Sequence, residues 1–438
     1  MVYKDKVMSK KLWRIFKYIL GIFALLCVAL VLWWLNMEGI FLSDLKDTKA
    51  RIAHSPHFIN GVAQNFEPNK SSESIVEDAQ DSRKSNSKDS LNLGESNENK
   101  SQKKFTKLSL LEISSVKIPS IKSDLRELAK QDSFVWFGHS SYMLNLGGQT
   151  LLIDPVLKDN AAPLPFVVNT FKGADIYAPS ELPAIDFLII THNHYDHLSK
   201  STIRALAPKI KRAIVPLGVG KYLKAWGISE SKITELDWNE SAEFDTEFGA
   251  FIFHCLTARH YSSRGLLDRD KTLWASFLVE FSADLREFNQ KNTQDSRESR
   301  HKNSRALQSK KIFIGGDSGY GAHFVEFGKK FGAIDLAFLD NGQFNARWEW
   351  IHAFPSQNLQ IARELNAKAI MPLHNSKFRL APHEWSEPLE QIYTLYTQGK
   401  YDFALLTPQV GQIVPLWSEK DKKIEFRAWW RQANANLK

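Results

Sequence analysis

The sequence predicts an α/β fold in which sheets are covered by helices. Two observations carry this. Short unbroken apolar runs, such as DFLIIT (residues 186–191), KIFIGG (311–316) and LAFLD (336–340), read as strands buried on both faces. Strand runs also come first along the folded part, and strand–helix alternation follows, the order expected of layered sheets and helices. With 438 residues, 43% of them hydrophobic and 24% charged, the chain is long enough for one large domain or two ordinary ones.

The elements follow in order. Residues 18–35, YILGIFALLCVALVLWWL, hold neither charge nor proline. With Ile15 and Phe16 the apolar stretch reaches about 20 residues, the length of a helix that crosses a bilayer. A cleaved signal peptide is the alternative, but its small-residue cleavage site is missing. Trp33 and Trp34 follow instead, as in an interfacial anchor. We therefore expect a basic N-terminus and transmembrane anchor over 1–36. Residues 37–106, rich in Ser, Asn, Lys, Asp and Glu from about 64 onward, are expected to be a disordered linker. The folded domain is expected over 107–438, with a second such stretch inserted at about 284–310 between two apolar strands. Inside the domain, FVWFGHSSYMLNLGGQTLLIDP (134–155) reads as two or three strands with a Gly147-Gly148 turn. STIRALAPKI (201–210), GVGKYLKAWGI (218–228) and SQNLQIARELNA (356–367) suit helices. AIVPL (213–217) and AIMPLH (369–374) suit strands.

The formal charge is +8. Residues 1–17 contribute +5 and residues 281–310 contribute +3, which is the whole excess. The rest is close to neutral, so the charge reads as a topology signal and a solvated loop, and a nucleic-acid partner is not expected. By the positive-inside rule the basic flank keeps the N-terminus cytoplasmic, which places the catalytic domain on the outer side of an inner or plasma membrane. Two cysteines, Cys27 and Cys255, exclude a disulfide scaffold or a four-cysteine metal site.

The chemistry concentrates in THNHYDHL (191–198). Histidines at i and i+2 on an extended segment point to one side, so His192 and His194 can converge on one ion. Asp196 and His197, in the turn that follows, can reach a second. Imidazole and carboxylate are ligands for zinc or another borderline metal. The chain holds 13 histidines, and three within six positions at a strand end are not a chance grouping. Three later residues, His260, Asp317 and His374, each sit just past an apolar run, where a sheet edge presents them. Any one alone would more often be structural.

HNHYDH resembles the HxHxDH signature of the metallo-β-lactamase superfamily, and His260, Asp317 and His374 match its later positions in order. The resemblance covers roughly residues 132–417. It is strongest to N-acylphosphatidylethanolamine-hydrolysing phospholipase D and its bacterial relatives, through WFGHSSYML, THNHYDHL, TARHYSSRGLLDRDKTLWASF, GGDSGYG, FGAIDLAFLDNGQFNARWEWIHAFP and MPLHNSKFRLAPHEWSEP. It implies a four-layer αββα sandwich with two zinc ions at one edge. His192, His194 and His260 would hold the first, Asp196, His197 and His374 the second, and Asp317 would bridge. His352 matches a histidine near the metals that handles the substrate phosphate or a proton. Asp154 matches an acidic position that supports a ligand imidazole. Iron or manganese suits the same ligands. The implied chemistry is phosphodiester hydrolysis by a metal-bridging hydroxide, with Asp317, His352 and Asp196 as the catalytic set and a phospholipid at the membrane as substrate.

The sequence departs from the animal members of that family at residues 340–344, Asp-Asn-Gly-Gln-Phe, where they have Pro-Ile-Gly-Ala-Tyr. The alternative reading is a lactonase or other small-molecule hydrolase, with the Gln343 region binding the substrate. A metal-binding envelope protein without activity is the least favoured, since no ligand is lost. An apolar loop at 161–173, with Leu164, Phe166, Val167, Val168 and Phe171, is a candidate lipid-touching lip or a loop packed on its own domain. Arg259, Arg264 and Arg347 are candidate phosphate partners.

Overall fold

The computed structural model describes residues 2–37, 42–65, 116–164, 167–265, 267–283, 309–417 and 426–435. Helix α1 (Val2–Met37) comes first. Its segment Leu12–Leu32, 21 residues of mean hydropathy 2.6, is long and apolar enough to cross a membrane. Then come α2 (Thr48–His54) and the small hairpin β1 (Phe58–Ile59) and β2 (Val62–Ala63).

The first large sheet contains β3 (Ser133–Trp136), β4 (Tyr142–Leu146), β5 (Gln149–Ile153), β6 (Ile185–Ile189), β7 (Ile210–Pro216) and β8 (Ile233–Leu236). Helices α3 (Lys200–Leu206) and α4 (Gly220–Ala225) cover it. The second contains β9 (Ser241–Thr246), β10 (Gly249–Leu256), β11 (Ser276–Ala283), β12 (Lys310–Ile314), β13 (Leu336–Asp340), β14 (Ala369–Leu373) and β15 (Ala404–Leu405). Helices α5 (His323–Phe331), α6 (Pro355–Glu364) and α7 (Glu387–Gln398) cover that one. Strand β16 (Ile413–Pro415) returns to the first sheet beside β3, and α8 (Trp429–Ala435) ends the described chain.

Alternation along the strands explains the layers. Phe187 and Ile189 of β6 face the core between the sheets, with Phe253 of β10 and Ile312 and Ile314 of β12. Leu188 of β6 faces α3 and α4. Phe313 of β12 and Ala337 of β13 face α5 to α7. Both faces are buried, so these strands read as continuous apolar runs in sequence. The result is the expected αββα arrangement. Strands β5, β6, β7 and β8 run parallel, as do β12, β13, β14 and β15. The Gly147-Gly148 turn between β4 and β5 has φ of 53° and 71°, the paired positive values of a two-residue hairpin. Cys255 is buried in the core and Cys27 lies in α1, both as free thiols.

One expectation changes. Residues 42–65, read as part of a linker, are packed on the domain. Leu42 contacts the core under α3 and α4. Thr48 and Arg51 bond the side chain and carbonyl of Glu235, and His57 bonds Asp237 at 2.9 Å. Two-residue strands and one short helix carry no periodic apolar signal, and the polar composition begins only near residue 64, after the packed segment. The rest of the expected linker, 66–106, lies outside the described residues, as does 284–308. The latter joins β11 to β12, which pair antiparallel, so it occupies the strand-to-strand connection expected.

Candidate metal centre

The predicted residues lie past the carboxyl ends of strands. Asp154 follows β5, His192 to His197 follow β6, His260 follows β10, Asp317 follows β12 and His374 follows β14, while Asp340 ends β13. Carboxyl ends of parallel strands present their loops at one edge. Three site residues, His139, Asp154 and His374, have φ of 54°, 41° and 64°, a left-handed conformation rare for such side chains and often found at functional sites. Gly316, at φ 59°, turns the chain just before Asp317. Gly342 lets its backbone lie on His374, because a Cβ there would stand 1.7 Å from the His374 carbonyl oxygen.

Ligand atoms of His192, His194, His260 and Asp317 lie within 4.8 Å of one another, and so do those of His139, Asp196, His197 and His374. In the first group, Nδ1 of His194 is 2.9 Å from Nε2 of His192 and 3.1 Å from Nε2 of His260. Asp317 Oδ2 stands 3.8 and 3.6 Å from those two Nε2 atoms. An ideal tetrahedron around zinc, with bonds of about 2.0–2.1 Å, has edges of about 3.3–3.4 Å. The four donors bracket that edge. The other oxygen of Asp317, Oδ1, faces the second group, 3.1 Å from Nε2 of His197 and 3.1 Å from Nδ1 of His374. One carboxylate thus addresses both groups.

The donors fit a metal by a second criterion. Nε2 of His197, Nε2 of His374 and Oδ1 of Asp317 are buried without a hydrogen-bond partner. Buried polar atoms rarely stay unpaired unless something else meets them. Burial holds the His192, His260 and His374 imidazoles well below their usual pKa and lowers His194 to about 3. They are neutral, the form that ligates. His197 goes the other way: burial lowers it, but Asp317, Asp196 and Asp154 together outweigh burial and raise it. Burial pushes the Asp317 carboxyl up.

Surrounding bonds fix which nitrogen each ring offers. Asp154 accepts from the Thr191 hydroxyl at 2.7 Å and from the Thr191 amide at 2.8 Å. The Thr191 oxygen lies 3.0 Å from Nδ1 of His192, and Asp154 Oδ2 lies 2.8 Å from Nδ1 of His197. The network therefore assigns a proton to Nδ1 in both rings and turns both Nε2 atoms toward the ligand positions. The Ile351 carbonyl, 3.1 Å from Nδ1 of His260, does the same there.

Two further residues belong to the site. His139, which is fully buried, places Nε2 2.8 Å from Asp196 Oδ2, and burial lowers it to about 4. It sits just past the apolar run of β3, the same presentation that singled out His260, so the signal was there. Asp340, the first of the departures at 340–344, is the second. Its Oδ2 lies 2.8 Å from Nδ1 of His352, and both join Asp317 and His374 in a third group of convergent ligand atoms. The other departures are internal brackets. Gln343 donates to the His374 and Phe378 carbonyls and accepts from the Leu380 and Ala381 amides. Asn341 donates to the Pro388 carbonyl.

Arg264 is buried and donates to the Asn193 and Leu198 carbonyls, both at 2.7 Å, so it braces the HNHYDH turn. Arg259 donates to the Tyr320 carbonyl and lies over the Trp350 ring. Arg347 is exposed. In the apolar loop, Leu164 and Val167 are exposed, Val168 packs on the Val156, Ala161 and Phe378 cluster, and Phe171 is buried in the core. Phe166 lies outside the described residues.

Comparison with known proteins bears on the family. The model of the beta-lactamase superfamily domain matches residues 149–299 and 303–375, just over half of the chain. An uncharacterized protein of Mycobacterium tuberculosis (strain ATCC 25618 / H37Rv) is 34% identical over 301 residues, covering 68% of this chain and 71% of that protein. N-acyl-phosphatidylethanolamine-hydrolyzing phospholipase D 1 of Caenorhabditis elegans is 27% identical over 304 residues, 66% of this chain and 76% of the relative. The solved structure of Igni18, a metallo hydrolase from Ignicoccus hospitalis, aligns with a TM-score of 0.44 and 15% identity over 65% of this chain and 97% of that one. Two helix-covered sheets with histidine and aspartate clusters past their strand ends define a metal-dependent hydrolase fold. The chain belongs to the beta-lactamase superfamily.

Proposed function

We propose that the chain is a membrane-anchored dinuclear zinc phosphodiesterase of phospholipase D type, acting on N-acylated phosphatidylethanolamine or a similar phospholipid. The observation that carries it is Asp317, whose two oxygens face two separate ligand groups. His192, His194 and His260 would hold one ion. Asp196, His197 and His374 would hold the other, with His139 orienting Asp196. Imidazole and carboxylate donors favour zinc, although iron and manganese use the same set. When bound, two such ions supply a water acidic enough to lose its proton near neutral pH and neutralise charge building on phosphoryl oxygens.

His352 is the candidate proton carrier. Asp340 holds its Nδ1, so Nε2 is the nitrogen left to give a proton to the departing oxygen. Burial lowers its pKa, but Asp340, joined by Asp317 and Asp196, outweighs that and raises it, which suits an acid at neutral pH.

The substrate class draws support from the worm relative's name and from the surface. Leu164, Val167, Leu267, Trp350 and Leu380 are exposed large apolar side chains. Leu267 follows His260 on the same loop, Trp350 precedes His352 by two residues, Leu380 follows Phe378, whose ring lies against His139, and Leu164 and Val167 lie on the loop whose Val168 packs on Phe378. Scattered apolar residues need no explanation, but several on the loops around one site suit an acyl or bilayer surface. The anchor agrees. Met37 ends α1 and Leu42 already contacts the domain, so five Cα steps separate them, a reach of at most roughly 18 Å. This holds the domain close to a membrane on the side away from the basic N-terminus. The lactonase reading rested on Gln343, and that side chain is engaged at both its ends by backbone groups.

The test is a substrate panel: metal-replete protein with N-acylated phosphatidylethanolamine, bis-p-nitrophenyl phosphate and acyl-lactones. Phosphodiester cleavage is expected, and lactone turnover without it would overturn the reading.

A further inference from the structure

Residues 42–65 do more than cover a surface. Where they end, Asn65 donates from Nδ2 to the His260 carbonyl at 2.8 Å, and its Oδ1 accepts from the His260 amide at 3.1 Å. One side-chain amide thereby pairs with both backbone groups of a residue 195 positions away, as a neighbouring strand would. The preceding residues grip the same loop. The Ala63 amide donates to the Asp270 carbonyl at 2.7 Å, and the Asp270 amide donates to the Ser262 carbonyl at 2.7 Å. Asp270 Oδ1 accepts from the Ser262 amide at 3.1 Å.

The other end of the segment is fastened independently. Buried Glu235 receives the Gly218 and Gly220 amides on Oε1, at 3.0 and 2.9 Å, and the Thr48 hydroxyl on Oε2. Arg51 reaches the Glu235 carbonyl at 2.7 Å and pairs with Glu240. His57 pairs with Asp237 and packs against Trp238.

His260 stands on a long loop between β10 and β11, without a ladder partner of its own. Its ring is set by the Ile351 carbonyl, and its backbone is set by Asn65. We infer that residues 42–65 are a strap joining the membrane helix to the metal centre, and that Asn65 is a positioning residue for the metal held by His192, His194 and His260. The inference rests on the metal-centre reading. A ligand whose backbone is free loses part of the preorganisation that metal affinity needs. Losses of supporting bonds of this kind weaken metal binding by about 10–100-fold. Asn65 is exposed and holds backbone, so about tenfold is expected, confined to one of the two ions.

The experiment titrates the full-length chain, purified in detergent, with zinc against a chromophoric chelator. Asn65→Ala, Asn65→Asp, Arg51→Ala and His260→Ala are compared, and urea unfolding of each metal-free protein is followed alongside. The wild type is expected to take two ions, and His260→Ala to hold one of them poorly. Asn65→Ala is expected to bind one ion about tenfold more weakly and the other unchanged. Asn65→Asp, which keeps size but loses the donor, should shift in the same direction. Arg51→Ala should lower the urea midpoint without changing either affinity. Wild-type zinc affinities in both Asn65 variants would overturn the positioning role, whatever their urea midpoints. Wild-type protein that takes up no zinc would overturn the metal-centre reading and the strap's role with it.

Discussion

Asp154→Asn isolates the part of the account that concerns protons rather than shape. The side chain keeps its size in a fully buried site, and what changes is one acceptor oxygen into a donor. Asp154 accepts from three donors: His197 Nδ1, the Thr191 hydroxyl and the Thr191 amide. An asparagine in one orientation sets its amino group against His197 Nδ1. Flipped, it sets that group against the backbone amide of Thr191. Either way a donor faces a donor, at a cost of about 1–3 kcal/mol. The least costly escape is for His197 to give up its Nδ1 proton and keep one on Nε2, the atom facing Asp317. That proton would then occupy the ligand position. A loss of about 10–100-fold in affinity for the second ion is expected, or about 1.4–2.8 kcal/mol. The assay is zinc titration against a chelator, with nitrogen-15 shifts of His197 to read the tautomer. Two ions bound with wild-type affinity, and Nδ1 of His197 still protonated, would refute the reasoning.

Other outcomes follow from the same contacts. Asp340→Ala removes the carboxylate that raises His352. The imidazolium then loses its partner and its pKa falls, so the alkaline limb of the pH–rate profile should move toward acid. An unmoved limb would contradict the role given to His352. His323, buried beside Phe324 and Phe327, is lowered to about 3, first by burial and then by Arg259. The unfolded chain binds this proton below about 6.5 and the folded chain does not, so the stability it contributes is present above 6.5 and falls with pH down to about 3. The slope approaches about 1.4 kcal/mol per pH unit, and His323→Gln should remove that share from urea midpoints measured across pH 4–7. Gln343→Ala strips the acceptor from the Leu380 and Ala381 amides. At about 1–3 kcal/mol each, a clear drop in urea midpoint is expected, and an unchanged one would show that the bracket carries no weight.

The fold and most of the site could be read because buried parallel strands and their ligands leave local marks. An unbroken apolar run followed by a histidine or aspartate is a strand end with its cargo, and His192, His260, Asp317 and His374 all fit that form. His139 fits it too, but a single histidine in a Gly-His-Ser-Ser turn has no spacing partner to draw attention. Asp340 and Gln343 were visible only as polar residues in an apolar place. Sequence could not separate a carboxylate aimed at His352 from an amide closed on backbone, since that depends on which loops meet from β13 and β14. The strap is not legible in the sequence for a related reason. Its bonds reach residues nearly 200 positions away, and its elements are too short to show a period.

The most direct test of the central claim couples metal count to chemistry. Metal-free protein is titrated with zinc while cleavage of N-acylated phosphatidylethanolamine in mixed micelles is followed. Activity should appear only as the second equivalent binds and vanish on chelation. Full activity at one equivalent, or cleavage unaffected by chelation, would contradict a two-metal centre organised by Asp317.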